Sequence, residues 1–65
     1  MTKKQIRWHV LNNIATGQFY HSIEHCTEDE AREALEWAVN QGYVKPGKWT
    51  ITDKGKAALA ANELD

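Results

Sequence analysis

Cysteine is nearly absent: Cys26 is the one thiol in 65 residues. No disulfide can close within the chain, and a zinc clamp of four thiolates, or of two thiolates and two histidines, is excluded. Long apolar runs are missing as well. The start, Met1-Thr2-Lys3-Lys4-Gln5, is basic and leads into an amphipathic segment, so neither a secretion signal nor a membrane span is expected. A lone thiol without a leader points to a reducing, cytoplasmic setting. Net charge is also small, −1 at pH 7, so the chain carries no overall polyanion-binding charge. There is no internal repeat and no low-complexity stretch.

What is present is ordinary for a folded domain: 42% hydrophobic and 26% charged residues argue against disorder. The length limits the chain to one domain, 1–65. A chain this short buries only about 60% of its unfolded surface, so its stability rests on helix packing, on the three tryptophans, or on pairing with a second copy as a homodimer. The charges fall in zones. Residues 1–11 carry Lys3, Lys4 and Arg7 and no acid. Residues 27–41 carry Glu28, Asp29, Glu30, Glu33 and Glu36 against Arg32. Residues 43–56 carry Lys45, Lys48, Lys54 and Lys56 against Asp53. Two basic zones flank an acidic one.

Ile6, Val10, Leu11 and Ile14 recur at helical spacing and predict a first helix over 3–15, with Gly17 as its left-handed stop. Phe19, Tyr20 and Ile23 fit either one or two helical turns or an ordered loop pinned by those side chains. Thr27-Glu28-Asp29-Glu30 is a capping box. It opens a helix over 28–41 with Ala31, Ala34, Leu35, Ala38 and Val39 on one face and Gly42 as its stop. Tyr43–Lys45 and Trp49–Ile51 read as two short strands, joined through Pro46-Gly47 at the centre of a type II turn. Thr52 caps a last helix over 53–62, with Ala57, Ala58, Leu59 and Ala61 as its apolar surface. Glu63-Leu64-Asp65 is expected to fray.

This order of parts, with Gly42-Tyr43-Val44 leaving the long helix and Ile51-Thr52-x-x-Gly55-x-x-x-Leu59 after the hairpin, resembles the winged-helix superfamily of bacterial and phage regulators. The resemblance covers nearly the whole chain. It implies an α+β fold, a minimal winged helix of three to four helices with a two-stranded β-hairpin wing. It also implies DNA binding and transcription regulation, with the 28–41 helix in the major groove and the wing beside the phosphates. The DNA-contact candidates are Arg32, Lys45, Lys48, Lys54 and Lys56.

Phosphate neutralisation supplies most non-specific DNA affinity, and an acidic helix works against it. A second reading follows: a winged helix turned protein-interaction module that does not bind DNA. Its contacts to a basic partner are Glu33, Glu36, Trp37 and Trp8. The acids of the first helical turn are explained by the helix dipole and capping alone, whereas Glu33 and Glu36 lie deeper. Trp8 and Trp37 sit about 160° from Ile6 and Leu35 on their helices, as residues closing the edge of a core or as exposed contacts. Trp49 is expected to cover the core. His21, His25 and Cys26 have metal-ligand chemistry but form an incomplete set, so no metal and no cofactor is expected. No nucleophile, base and orienting group come together in the sequence, so no enzyme is expected.

Overall fold

The structure, a computed structural model, describes residues 1–64. Its elements run α1 (Lys3–Ala15), α2 (Glu28–Asn40), β1 (Val44–Lys45), β2 (Thr50–Ile51) and α3 (Asp53–Ala61). The described residues form an α+β fold of three helices and one antiparallel hairpin, consistent with a minimal winged-helix-like arrangement. No helix among the described residues is long and apolar enough to cross a membrane.

Each helix begins on a threonine. Thr2, Thr27 and Thr52 stay extended, and each side-chain oxygen accepts from the backbone N–H three residues on, at Gln5, Glu30 and Gly55. Thr27–Glu30 forms the reciprocal box read from the sequence, and Thr2–Gln5 forms a second. Each helix also ends in the same way. A left-handed residue, Gly17, Gly42 or Asn62, follows the last turn. The next two N–H groups fold back: Gly17 and Gln18 donate to Ile14 and Asn13, Gly42 and Tyr43 to Val39 and Ala38, and Asn62 and Glu63 to Leu59 and Ala58.

The core joins Ile6, Val10, Leu11 and Ile14 of α1 to Ala31, Ala34, Leu35 and Ala38 of α2, with Val44, Ala58 and Leu64 closing it. Three of the four α2 residues are alanines, which lets the two helices approach closely. The last helix contributes less than its composition suggests. Ala58 is buried and Leu59 half-buried, but Ala57 and Ala61 face solvent. The missing volume comes from the tail. Leu64 is not frayed; it is fully buried, and its carbonyl accepts a 2.9 Å hydrogen bond from Arg7 Nη1. The left-handed turn at Asn62 reverses the chain and sends Leu64 back to the core. Asp65 lies outside the described residues.

Residues 16–26 form an ordered loop with no helix, the second of the two arrangements their sequence allows. Asn13, a buried polar residue of α1, holds it: its Nδ2 donates to the Tyr20 carbonyl at 3.4 Å and the Ser22 carbonyl at 3.2 Å. Tyr20 and Ile23 pack against the core, while Phe19 stands 76% exposed.

In the hairpin Val44 pairs with Ile51 and Lys45 with Thr50. Gly47 has the positive φ a type II turn requires, but the loop closes one residue later than that turn, through Trp49 N–H to the Lys45 carbonyl at 3.0 Å. Trp49 itself is left-handed, at φ 49°. It does not cover the core: it is 51% exposed and leans on Tyr20. Beyond the strands, Thr52 N–H donates to the Tyr43 carbonyl at 2.9 Å, and the Thr52 hydroxyl donates to the Gly42 carbonyl at 2.7 Å. Gly55 lies directly against that Tyr43 carbonyl, so a methyl group there would run into backbone and into Ile51.

Two substitutions test this framework by urea denaturation. Gly55→Ala is expected to destabilise by about 1–3 kcal/mol although it raises helix propensity, because the obstructing atom is backbone that cannot rotate away. Asn13→Ala is expected to cost about 1–3 kcal/mol by leaving the Tyr20 and Ser22 carbonyls without their donor. A neutral result at either position would show that the junction or the loop is held by something else.

Candidate nucleic-acid interface

The left-handed turn at Gly42 brings the hairpin back alongside α2 and leaves a groove of about 530 Å³ between them. One wall is the outer flank of α2, with Arg32, Leu35, Glu36 and Val39. The other is the wing, with Pro46 and Trp49, and Tyr20 closes the end. Lys45 and Lys48 bracket Pro46 and Gly47 and are exposed. Arg32 Nη1 lies 3.7 Å from Asp29 Oδ1, with both side chains well exposed. Such a pair contributes less than about 1 kcal/mol, so the guanidinium is free to exchange its partner for another anion.

A second groove, about 360 Å³, runs between α1 and α2 on the opposite flank of the long helix. Lys3 and Arg7 lie on the α1 bank, Glu30, Glu33 and Trp37 on the α2 bank. The acids of α2 are therefore divided: Glu33 lines this groove only, while Glu36 stands on the ridge and lines both. Trp37 is half-buried and closes the edge of the core. The Arg7 guanidinium sits over its ring at 4.1 Å, and the Tyr43 ring meets it edge-on at 5.5 Å. Lys54 Nζ lies 5.6 Å over the far side of this array, on Tyr43. Lys54 and the exposed Lys56 belong to α3 and do not line the wing groove. Trp8 is half-buried at the core's edge, edge-on to His9 at 5.2 Å, beside a shallow cleft with Gln5 and Asn62.

The loop adds a feature that composition does not reveal. Phe19 stacks on His21 at 5.6 Å and 10°, His21 meets Tyr20 at 5.0 Å, and Tyr20 tilts against Trp49 at 6.4 Å. Four rings thus run continuously from the loop to the wing. The signal available in sequence was only the density of aromatic residues at 19–21.

His25 is left-handed, at φ 61°, and the Cys26 thiol donates to the Thr27 carbonyl at 3.4 Å. Among the described residues no three His, Cys, Asp or Glu side chains gather as a metal site. Burial, and then the Glu30 carboxylate, push the Cys26 thiol above its ordinary value, which keeps it protonated and a poor nucleophile. Glu30 moves the other way. The Thr27 backbone N–H, and then the Thr27 hydroxyl, bond its carboxylate and hold it below the usual carboxylate range. No protein-family model matches the chain, and neither a curated protein nor a solved structure matches it.

The depressed Glu30 carboxyl sets a pH dependence. A group held lower in the folded state stabilises above its unfolded value and loses that contribution as pH falls through the folded one. The thermal midpoint should therefore drop on acidification from neutral pH to about pH 3, and Glu30→Gln should flatten part of that drop. An identical pH profile in the variant would mean that the capping box adds nothing pH-dependent.

Proposed function

We propose that this chain is a small DNA-binding protein that meets DNA with the wing side of α2, in the manner of a winged-helix regulator. The observation that carries the reading is the division of charge across α2. Arg32 shares its groove with a wing bearing Lys45 and Lys48, while Glu33 is turned to the opposite groove. The wing is a single four-residue loop, so it serves as a phosphate contact beside the helix rather than as an arm in the minor groove. Arg32, Lys45 and Lys48 are the proposed contacts, and Lys54 and Lys56 lie further off and act through longer-range charge.

The second reading, a partner surface for a basic protein, is favoured by the α1–α2 groove with Glu30, Glu33 and Trp37 along one bank. Arg7 counts against it, because its guanidinium already covers Trp37 and supplies the opposite charge from within the chain.

A titration of labelled duplex at several salt concentrations separates the two. DNA binding through the wing predicts a log–log slope near −0.9 per phosphate neutralised, made shallower by about one unit in Lys48→Ala. Glu36→Gln should tighten binding, since that carboxylate lines the wing groove, and Glu33→Gln should change it much less. No duplex binding at low salt, with a basic protein lost on Glu33→Gln, would replace the DNA reading with the partner reading.

A further inference from the structure

Trp49 is the one non-glycine residue of the wing with a positive φ. A bulky side chain at φ 49° is a backbone outlier, and such strain persists only where the surroundings impose it. Here it does not serve burial, because the residue stays 51% exposed. What the conformation does is turn the ring toward Tyr20 and so complete the row Phe19, His21, Tyr20 and Trp49. Phe19 is likewise exposed without core contact, at 76%. The exposed phenylalanine and the exposed tryptophan thus stand at the two ends of one continuous row, and the wing end of that row is where Arg32, Lys45 and Lys48 lie.

Resting on the DNA reading above, we propose that this row is a stacking platform for unpaired bases, so that the preferred ligand is DNA with a single-stranded or melted stretch. The chemistry fits that ligand better than a closed duplex. Aromatic faces offer nothing to a phosphate, and stacked base pairs present only their edges, whereas an unpaired base presents a π-face that stacks on any aromatic ring. The lysines of the wing neutralise the backbone that connects those bases. A partner protein would also use exposed aromatic residues, but the cations beside the row favour a polyanion. Glu36 in the groove limits how many phosphates can approach along α2, which directs the strand across the loop and wing instead.

The test compares fluorescence anisotropy of labelled oligothymidine of about 16 nucleotides, the upper site size of a small single-strand surface, with a duplex of equal length at low salt. Wild type should bind the single strand more tightly. Trp49→Gly removes the ring and also suits a left-handed position, so the fold is retained and the thermal midpoint should hold or rise. Phe19→Ser removes an exposed ring with no core contact. Each should weaken oligothymidine binding roughly 5- to 150-fold, the range of one lost base–aromatic stack, and Phe19→Ser, outside the wing groove, should leave duplex binding nearly unchanged. Duplex binding that equals or exceeds single-strand binding, or single-strand binding indifferent to both variants, overturns the platform and leaves the DNA reading intact. No binding to either probe overturns both.

Discussion

The wing's position depends on one threonine. Thr52 donates its hydroxyl to Gly42, at the end of α2, and its N–H to Tyr43, at the start of the hairpin, while its oxygen receives Gly55 N–H, at the start of α3. Three elements are thereby fixed to one residue. Two-residue strands have too few ladder bonds to orient themselves, and an isolated hairpin of that size is marginal in water. The clip supplies what the ladder lacks. Gly55 completes it by letting the helix backbone lie against the Tyr43 carbonyl. The Thr-x-x-Gly spacing after the wing is therefore a packing requirement: the threonine caps and anchors, and the glycine makes room.

Most of the local structure was legible because it is governed by neighbours in the chain. The helix starts at Thr27 and Thr52, the stops at Gly17 and Gly42, and the apolar stripes of the two longer helices all follow from spacing and capping chemistry. What escaped was set by contacts distant in sequence. Asn13 carries no signal of its own in the sequence, yet it is buried, where its amide donates to two loop carbonyls. Leu64 reads as a frayed end, yet the shallow apolar face of α3, with Gly55 and Ala58 at its centre, leaves a space that Leu64 fills. Trp49, on the hairpin, is expected from sequence to cover the core. The added loop residue rotates it to the surface.

The candidate site was legible in composition but not in arrangement. Sequence gives α2 a strongly acidic balance, and a sum over the helix makes DNA an unfavourable partner. The fold replaces that sum with a partition, since Glu33 and Arg32 leave the helix toward different grooves and Glu36 stands between them. Basic residues are regrouped in the same way. Lys45 and Lys48 stand at the wing, whereas Lys54 lies over Tyr43 on the other array of rings. Adjacent residues on a helix point about 100° apart, so neighbouring charges reach opposite surfaces.

Arg7 carries a consequence for how the chain comes together in time. Its bond to the Leu64 carbonyl joins residues 57 apart, a span that would cost about 3–4 kcal/mol of loop entropy if closed in an unstructured chain. Once α1 and α2 have paired, the stretch still to be closed is far shorter, so docking of the tail belongs late in folding. The guanidinium meanwhile waits on Trp37, a ring supplied by that earlier pairing. The last contact to form is thus prepared by the first, and loosening of the tail is the opening that least disturbs the two long helices.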